Sequence, residues 1–417
     1  MSLLTSLARI WLTRSFHPFV FTNELDEHLP YENASGLGLY IHIPFCRSLC
    51  AFCPYCKVKY DPTQAQAYVE ALKREIEIVG SRGGRRNVTT LYFGGGSPAL
   101  LAKEIGGIVD MVNRYFDIEE GIGIELHPAD VTVEKLRILK DAGVTRISIG
   151  IQSFDEDTLQ ILGRGGCYPA ALSDALKQVH FETVAMDFIF ALPGQTVESL
   201  IQDIENAFSI GANHVALYPF IDFTYTKREF PKMPESQKRK LFDGITEHCR
   251  RQGYVRDSIW TYAKPGTKKY SSMTRDNFLG FGCSSTSLLN DRFTINTFSI
   301  PDYIMRVKEG RLPTSLTLHF TERQRMLYYL FWTAYTTVID EDAFKDFFGK
   351  SIGDFYHIEL LACRLLGLVK KHGTQYRMTQ RGAYYYHRYE NYYTLAYIDQ
   401  MWDLMKNEAF PERLVIR

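Results

Sequence analysis

The sequence predicts an α/β protein in which a parallel β-sheet is followed by a smaller, mainly helical domain. Apolar or alternating segments that are typical of strands recur six times between residues 37 and 221. Helix-like segments separate them, and this alternation indicates parallel strands joined by right-handed crossovers. From about Leu312 onwards, helix-like segments dominate instead. At 417 residues, the chain is long enough for one large domain and a smaller one.

The six strand candidates are short segments, and several end in Gly, Pro or polar residues. In chain order they are LGLYIHIP from Leu37, VTTLYFGGG from Val88, GIGIELHP from Gly121, VTRISIGIQS from Val144, TVAMDFIFALPG from Thr183 and HVALYPFI from His214. Segments between them, such as TQAQAYVEALKREIEIVG and TVEKLRILKDAG, carry apolar residues at helical spacing and end at Gly. Six such units fit either an open doubly wound sheet or a curved partial barrel.

The C-terminal ends of the predicted strands are the expected position of the chemistry, because the loops of parallel α/β folds converge there. Residues that could serve a reaction follow five of the strand candidates. They are a cysteine-rich segment, Gly94–Gly96, and the segments ELHP, GIQS and ALPG. We therefore expect one site to gather them.

The region after Leu312 predicts a winged-helix-like accessory domain. The segments ERQRMLYYLFWTAY, DAFKDFFG and DFYHIELLACRLLGL read as helices, and LVKKHGTQYRMTQRG reads as a hairpin. A final aromatic helix, AYYYHRYENYYTLAYIDQMWDLMK, follows. Because this region has no concentrated basic face, a lid or buttress on the catalytic domain is favoured over nucleic-acid binding.

Composition excludes several classes of protein. The 48 Lys and Arg residues balance 48 Asp and Glu residues, so no field of one sign favours nucleic acid or an anionic membrane. The N-terminus lacks the pattern of a signal peptide, and no apolar run is long enough to span a bilayer. We predict a soluble, cytoplasmic protein.

Four of the eight cysteines lie within eleven residues, in PFCRSLCAFCPYCK. In a reducing compartment such a group binds a metal more often than it forms disulfides. The other four, Cys167, Cys249, Cys283 and Cys363, are scattered and are expected to be buried small residues.

The spacing within the cysteine group favours an iron–sulfur cluster. A zinc site would need a second knuckle further along, and a redox pair would leave two cysteines unexplained. The nearby His42 is expected to be packed or hydrogen-bonded in its strand. Soft thiolates at Cys46, Cys50 and Cys53 suit three irons of a [4Fe–4S] cube, with the fourth iron open to an exogenous ligand. Cys56 would then be surplus, so that Cys56→Ser keeps the cluster and Cys50→Ser loses it.

The segment YIHIPFCRSLCAFC (Tyr40–Cys53) resembles the signature loop of radical S-adenosylmethionine (SAM) enzymes. Its opening, YIHIPFC, has the form found in the oxygen-independent coproporphyrinogen III oxidase family. The resemblance continues in family order over roughly residues 36 to 290. It includes YFGGGSPALL, IELHPAD, TRISIGIQSFDEDTLQILGRG, MDFIFALPGQT and FLGFGCSS.

This resemblance implies a partial (β/α)6 TIM-like barrel with a C-terminal, mainly helical, winged-helix-like domain. The implied organisation is an irregular N-terminal arm (1–35), a radical SAM core (36–235), an extension closing the site (236–311) and the accessory domain (312–417). The implied cofactors are a [4Fe–4S] cluster on Cys46, Cys50 and Cys53, and SAM, with two SAM molecules per site. The implied SAM contacts are Tyr40, Gly94, Gly95, Gly96, Glu125, Gln152, Arg164 and Asp187.

Three subgroups of the family compete. The oxidases carry an N-terminal arm of the RYTSYPT kind and a fourth cysteine two residues after the third, and this chain has neither. The heme chaperones carry an HNxxYW motif, whereas Lys269–Gly282 has no His and no Trp. The class C radical SAM methyltransferases are the predicted subgroup, with the oxidase as the alternative and the heme chaperone as the second alternative. In the methyltransferases a second SAM would lie near Arg164, Asp187 and the FLGFGCSS loop.

The expected substrate is planar or aromatic: a tetrapyrrole, a quinone or a heteroaromatic ring. The other expected partner is an electron donor of the flavodoxin or ferredoxin type. We expect a monomer that binds no nucleic acid and has no membrane span. Two hypotheses from other classes stay open, namely a non-catalytic heme or metal carrier and a DNA-binding regulator.

Overall fold

The fold was analysed in a computed structural model that describes residues 3–24, 28–165, 168–226, 230–268 and 276–416. Within these ranges, 14 strands form one continuous sheet. Six of them form the centre of the protein. They are β1 (Leu37–Ile43), β2 (Leu91–Gly95), β3 (Ile122–Leu126), β4 (Val144–Gln152), β5 (Thr183–Phe190) and β6 (His214–Pro219).

The six central strands are parallel and lie side by side in chain order. A doubly wound sheet would reverse its strand order at a switch point, whereas successive right-handed crossovers in one direction curve a sheet into a barrel. The predicted partial (β/α)6 TIM-like barrel is therefore confirmed, and the open-sheet alternative is wrong.

Helices cover the outer face of the barrel, and local sequence signals fix where they begin. Side chains of Asp61, Thr132, Asp155 and Thr196 cap four of them by accepting backbone N–H groups of the first turn. The covering helices are Pro62–Gly83, Ala102–Asn113, Val133–Asp141, Glu156–Ile161, Pro169–Gln178, Val197–Ile210 and Glu235–Arg251. Their apolar faces and the strands form the main hydrophobic core.

Antiparallel strands extend the sheet at both edges of the barrel. On one side, β7 (Asn277–Phe281) pairs in parallel with β1, and an antiparallel series follows it. That series is β8 (Thr286–Leu289), β9 (Arg292–Asn296) and β10 (Thr314–His319). On the other side, Thr261–Ala263 and Val255–Arg256 continue from β6. The segment between the core and the C-terminal domain thus flanks the barrel instead of forming a separate layer.

The two ends of the chain join the same sheet. Phe19–Thr22 pairs with both β10 and Arg413–Ile416. The prediction of an irregular N-terminal arm was wrong, because this strand follows a helix, Leu3–Thr13. That helix contacts the C-terminal region, where Arg323 Nε donates to the Leu12 carbonyl at 2.8 Å. These pairings join residues from opposite ends of the sequence, which local patterns do not reveal.

The C-terminal region contains the predicted winged-helix-like arrangement. Three helices, Glu322–Tyr335, Glu341–Phe348 and Ile352–Leu365, combine with a three-stranded sheet. The sheet consists of Val338–Asp340, Val369–His372 and Gln375–Met378. A small core of its own includes Met326, Tyr329, Leu330, Phe344, Ile352 and Tyr356.

The last helices of the chain lie against the C-terminal ends of the barrel strands. Gln380–Tyr393 leads through a short π-helical turn into Asp399–Asn407. His387, on the first of these, accepts a 3.0 Å hydrogen bond from Trp260 Nε1 and packs on Phe190 at the end of β5. None of the helices in the described ranges is long and apolar enough to cross a membrane.

Candidate active site

The cysteine-rich segment forms a closed loop directly after β1. Its two ends are joined by a short parallel pairing of Phe45–Cys46 with Val58–Lys59. Val58 N donates to the Pro44 carbonyl and Tyr60 N to the Cys46 carbonyl, both at 2.8 Å. Lys57 Nζ donates to the Cys53 carbonyl. The loop is therefore held at its base, and none of its cysteines forms a disulfide.

Three of the loop thiols share one partly buried site. Cys46, Cys50 and Cys53 are all unpaired and partly exposed. Burial raises the pKa of Cys46 to about 12, and the neighbouring thiols of Cys53 and Cys50 add to the rise. Three soft thiols that converge without forming a disulfide fit the donor set of a [4Fe–4S] cluster with one open iron. These residues would hold that cluster.

Cys56 lies apart from the other three loop cysteines. It is buried, with 8% of its surface exposed. Its Sγ lies 3.3 Å from the Phe298 carbonyl oxygen, near the start of a helix (Ile300–Lys308) that packs on Pro62–Gly83. The chain therefore turns the fourth cysteine away from the shared site.

Arg47 anchors the exposed side of the cysteine loop. Its guanidinium lies 2.5 Å from Asp130 Oδ1, and Lys135 Nζ reaches the same oxygen at 2.5 Å. Burial acts to raise the pKa of Asp130, but the hydrogen bonds from Lys135 and Arg47 outweigh it and hold this pKa below its ordinary value. Asp130 thus ties the cysteine loop to the segment that follows β3.

Glu125 extends from β3 toward the loop that follows β2. Its carboxylate accepts hydrogen bonds from Tyr92 Oη and from the Gly95 backbone N–H, each at 3.1 Å. Burial raises the pKa of Glu125 to about 7, and the charge of Asp187 adds to the rise. A carboxyl held by two donors can accept a further ammonium or hydroxyl on its open side.

Asp187, on β5, is the second buried carboxyl group of the site. Ser148 Oγ, on β4, donates to its Oδ2 at 2.7 Å. Burial raises the pKa of Asp187 to about 6, while the hydrogen bond from Ser148 opposes this rise. Glu125 and Asp187 each raise the free energy of ionising the other, so an added positive charge between them would be stabilised.

Gln152 and Arg164 meet at the end of β4. A Cβ placed on Gly150 would lie 2.9 Å from Gln152 Nε2 and 3.7 Å from Arg164 Nη1. Gln152 has a positive φ of 71°, and the β4–β5 register shifts beside it. A non-glycine residue in this conformation is strained by roughly 1–2 kcal/mol. The positive charge of Arg164 opposes the rise in the pKa of Cys50, which burial causes, and this places the guanidinium beside the thiol site.

The three glycines at the end of β2 and directly after it allow close packing of protein on protein. A Cβ on Gly94 would lie 3.0 Å from Tyr40 Cε2, and one on Gly95 would lie 2.6 Å from the His42 ring. A Cβ on Gly96 would lie 2.6 Å from the Phe45 carbonyl oxygen, at the base of the cysteine loop. Glycine is therefore required here to bring the β2 turn against β1 and the loop.

Tyr40 and His42 form a hydrogen-bonded pair on β1. Tyr40 stacks on Tyr92, with ring centroids 6.3 Å apart and planes inclined by 13°. Its hydroxyl lies 3.1 Å from His42 Nδ1, and His42 Nε2 lies 2.9 Å from the Cys56 carbonyl oxygen. Because a carbonyl can only accept, Nε2 carries the proton and Nδ1 accepts from Tyr40. The prediction that His42 is buried and hydrogen-bonded is confirmed.

Tyr55 is a site residue that the sequence analysis missed. It exposes 52% of its surface, although its hydroxyl is enclosed by charges. Burial raises the pKa of Tyr55, and Glu125, Cys53 and Asp187 raise it further. Tyr55 is therefore electrostatically coupled to the same carboxyl and thiol groups as the other site residues. Its position between Cys53 and Cys56 is the sequence feature that could have identified it as a site residue.

The last helix of the chain supports the cysteine loop from outside. Trp402 packs on Tyr55 at a centroid distance of 5.5 Å, and Lys406 Nζ donates to the Pro54 carbonyl at 2.7 Å. Asp399, at the start of that helix, accepts from Thr224 N and Oγ1 at 2.8 and 2.7 Å. No local sequence pattern marks these contacts, because they join residues more than 170 positions apart.

The turn of the FLGFGCSS segment packs against the Pro62–Gly83 helix. Gly282 N donates to Glu75 Oε2 at 2.7 Å, and Cys283 N donates to Tyr68 Oη at 2.9 Å. These two amides are therefore already engaged within the protein.

Some of the residues discussed from the sequence lie outside the described ranges. They are residues 269–275, which belong to the segment compared with the heme-chaperone motif, and Cys167. Cys249 and Cys283 are buried as expected, whereas Cys363 is partly exposed.

The chain is similar to several known proteins. Residues 40–207 match the model of the radical SAM superfamily. Heme chaperone HemW of Bacillus subtilis is 27% identical over 361 residues, which cover 82% of this chain and 95% of the relative. An oxygen-independent coproporphyrinogen III oxidase of Cereibacter sphaeroides is 27% identical over 314 residues, which cover 67% of this chain and 68% of the relative.

Among solved structures, the coproporphyrinogen III oxidase HemN of Escherichia coli is similar to this chain. The two share a TM-score of 0.73 at 20% sequence identity, over 92% of this chain and 96% of that one. At this identity the likeness establishes the fold. It extends over the barrel and the C-terminal region together.

Proposed function

We propose that the chain is an enzyme of radical chemistry on a tetrapyrrole, because residues 40–207 match the radical SAM superfamily and the chain is similar to heme chaperones and oxygen-independent coproporphyrinogen III oxidases. Cys46, Cys50 and Cys53 would hold a [4Fe–4S] cluster, and the strand ends beside them would hold SAM. When bound, this pair supplies a 5′-deoxyadenosyl radical.

The convergence of three thiols with Glu125, Asp187 and Arg164 is the observation that carries this proposal. Arg164 acts electrostatically on the cysteines, and the two carboxyls act on each other and on Tyr55. A guanidinium suits a carboxylate group, and a pair of carboxyls suits an ammonium or ribose hydroxyls. SAM presents a carboxylate, an ammonium and two ribose hydroxyls.

The carboxyl groups at the barrel strands would bind and orient the ligand. Glu125 is held by Tyr92 and Gly95, and Asp187 by Ser148, so both carboxyl groups are fixed before a ligand arrives. A bound cation would lower both raised pKa values and keep the carboxylates charged. The C-terminal helices that close the mouth would exclude water from the reactive species.

The substrate class is proposed from the relatives and from two exposed tyrosine side chains. Heme and coproporphyrinogen, named by the two groups of relatives, are both tetrapyrroles. Tyr55 and Tyr218 expose 52% and 39% of their surfaces, Tyr55 at the barrel mouth and Tyr218 near the C-terminal end of β6. Exposed aromatic faces can stack on a planar ring. An external donor of the flavodoxin or ferredoxin type would supply the electron.

Methyl transfer to an sp² carbon, with two SAM molecules, is the reaction type that we propose within this class. This choice rests on two differences between this sequence and the other subgroups. The chain lacks the N-terminal arm of the oxidases and the HNxxYW motif of the heme chaperones. The relatives described above are chaperones and oxidases, so oxidative decarboxylation is the competing reaction.

A heme carrier is the second candidate function. It is favoured by the alignment with the Bacillus subtilis heme chaperone, which spans 95% of that protein. A carrier would bind heme in stoichiometric amount and leave the macrocycle unchanged. It would need no turnover of SAM.

Anaerobic reconstitution separates these candidates. The protein is loaded with iron and sulfide and then incubated with SAM, dithionite and either heme or coproporphyrinogen III. Formation of 5′-deoxyadenosine supports the radical enzyme, and its absence would overturn it. S-adenosylhomocysteine together with a methylated macrocycle supports methyl transfer, whereas carbon dioxide from coproporphyrinogen supports the oxidase. Stoichiometric heme binding without SAM cleavage supports the carrier.

A further inference from the structure

Cys56 has a thiol partner far away in the sequence. Cys283 lies in the turn that follows β7, and its Sγ, the Cys56 Sγ and a ring nitrogen of His42 all lie within 4.8 Å of one another. Both cysteines are unpaired and buried, with 8% and 0% of their surfaces exposed. The fourth cysteine of the loop is thus one half of a buried pair of thiols.

The two thiols interact directly. A hydrogen bond with the Cys283 thiol lowers the pKa of Cys56, against the opposing effect of burial. Burial raises the pKa of Cys283, and its bond to Cys56 adds to the rise. Cys56 is therefore the more acidic thiol of the two, and its Sγ also lies 3.3 Å from the Phe298 carbonyl oxygen, to which it donates. In such a pair, the thiol with the lower pKa is the one that reacts as a nucleophile.

Rigid contacts hold the pair together. Tyr68 Oη donates to the His42 carbonyl at 2.8 Å and accepts from Cys283 N at 2.9 Å. A Cβ on Gly282 would lie 2.4 Å from Tyr68 Oη and 2.7 Å from the His42 carbonyl oxygen. Glycine at this position allows the turn to approach β1, which places Cys283 beside the end of the cysteine loop.

The same geometry argues against a metal site at this position. Both ring nitrogens of His42 are engaged, Nε2 by the Cys56 carbonyl and Nδ1 by the Tyr40 hydroxyl. Burial lowers the pKa of His42 to about 4 and keeps the ring neutral. A metal would have to break one of these bonds to gain a third ligand, whereas a disulfide needs only the two sulfur atoms.

We propose that Cys56 and Cys283 are a redox-active dithiol that closes to an intramolecular disulfide, separate from the three cysteines of the shared site. The oxidant is a small-molecule or protein disulfide. The Cys56 thiolate attacks one of its sulfur atoms and releases the first thiol. Cys283 then attacks the mixed disulfide and releases the second thiol. Two thiols of the protein are oxidised, one external disulfide is reduced, and two protons pass to the released thiols.

Closure of this disulfide ties the end of the cysteine loop covalently to the sheet at β7. The Cys56 carbonyl also accepts from His42, which in turn accepts from Tyr40. The oxidation state of the pair is thereby linked through two hydrogen bonds to a side chain at the barrel mouth. The proposal rests on these contacts alone and does not depend on the function proposed above.

Peptide mapping of the cluster-loaded protein tests this proposal. The protein is equilibrated anaerobically in glutathione buffers of increasing disulfide content, alkylated with iodoacetamide and digested for mass spectrometry. We expect one crosslinked peptide, joining Cys56 to Cys283, that increases with the disulfide content and disappears after dithiothreitol. The iron content should stay constant throughout, because the cluster occupies the other loop thiols.

Variants separate the proposal from its alternatives. Cys283→Ser and Cys56→Ser should each abolish the crosslink, and Cys363→Ser, which lies elsewhere, should leave it unchanged. Full alkylation of both cysteines at the most oxidising buffer would overturn the proposal. So would one equivalent of Zn²⁺ that binds the reduced protein and is lost in both variants, since the pair would then be a metal site. Neither readout requires SAM or a substrate, so failure of SAM cleavage leaves this test intact.

Discussion

At the scale of single residues, Glu125 is a carboxyl group of the candidate site that two hydrogen bonds hold in place. Its two donors, Tyr92 and Gly95, fix the carboxylate beside the cysteine loop. We expect Glu125→Gln to lower the rate of SAM cleavage at least tenfold, because the loss of one charge-assisted hydrogen bond costs about 1.5–3 kcal/mol. Iron content should not change. The measurement is 5′-deoxyadenosine formed per cluster.

A surface variant serves as the control for this experiment. Glu119→Gln alters an exposed carboxylate that accepts from Asn87 Nδ2, and it should cleave SAM at the rate of the unmodified protein. If Glu125→Gln were equally active, Glu125 would have no part in binding SAM.

A second prediction at this scale concerns the iron and sulfide content of variants in the cysteine loop. Cys50→Ser removes one of three converging thiols, whereas Cys56→Ser changes a thiol that faces Cys283 instead. We expect iron and sulfide to fall by more than half in Cys50→Ser and to stay at four per chain in Cys56→Ser. Equal losses in the two variants would make Cys56 a cluster ligand.

The sequence identifies some of these residues and not others, for a physical reason. Glu125, Asp187 and the cysteines lie in short motifs at strand ends, so their order along the chain reveals their meeting place. The partner of Cys56 is 227 positions away, and Trp402 reaches Tyr55 from the last helix. Such contacts depend on tertiary packing, which no local pattern encodes.

At the scale of elements, the β2 turn and the cysteine loop depend on each other. A Cβ on Gly96 would lie 2.6 Å from the Phe45 carbonyl oxygen and 2.9 Å from Phe45 N. Both are backbone atoms, so the loop itself would have to move. We expect Gly96→Ala to lower both the iron content and the melting temperature, because overpacking of this kind lowers the free energy of unfolding by about 1–3 kcal/mol.

Gly106→Ala is the matched control for that variant. Gly106 lies in the helix Ala102–Asn113, and the nearest atom to its added Cβ would be Ala142 Cβ at 3.8 Å. Alanine in a helix interior is favoured over glycine by roughly 0.5–1 kcal/mol, so this variant should melt slightly higher and bind iron fully. Full iron content in Gly96→Ala would show that the loop tolerates the displacement.

The elements themselves were predictable to different degrees. Alternation of apolar runs with amphipathic segments located all six barrel strands, because each βα unit is local in sequence. The strand order, which separates a barrel from an open sheet, required the structure. The strands added at the two edges, including Phe19–Thr22 and Arg413–Ile416, pair across the whole chain length and lack a local signal.

At the scale of the whole molecule, buried carboxyl groups govern the dependence of stability on pH. Burial raises the pKa of Glu75 to about 7, against the hydrogen bond from Tyr303, and that of Glu390 to about 8. Burial also raises the pKa of Glu125 to about 7. The folded protein therefore holds protons that the unfolded chain has released. This stabilisation is complete at a pH below the pKa that these carboxyl groups have in the unfolded chain. It is lost as the pH rises through the higher pKa that they have in the folded protein.

Three buried histidines act in the opposite sense at lower pH. Burial lowers the pKa of His42, His127 and His387 to about 4 each. The unfolded chain protonates these rings below about pH 6.5, so stability falls as the pH drops from there toward 4. Between pH 6.5 and 7.5 the folded rings are neutral and the unfolded chain releases its remaining histidine protons, an effect that opposes that of the carboxyl groups and is smaller. Burial lowers the pKa of Lys406 to about 8, so a comparison that ends at pH 7.5 avoids most of its titration.

We therefore expect the free energy of unfolding to decrease between pH 6.5 and 7.5, by on the order of 1–3 kcal/mol for the apoprotein. Denaturant titration at several pH values measures this slope. Glu390→Gln removes the group with the highest of these pKa values and should flatten the slope, whereas Glu408→Gln, on the surface, should leave it unchanged. A stability that rises with pH over this range would contradict the prediction, because the buried carboxyl groups would then be ionised in the folded protein.

The protonation state of Glu125 also determines how the binding of a cation affects the stability of the whole molecule. If Glu125 is protonated in the apoprotein at pH 6.5, binding of a positively charged ligand must release a proton, and the gain in stability on binding should increase as the pH rises to 7.5.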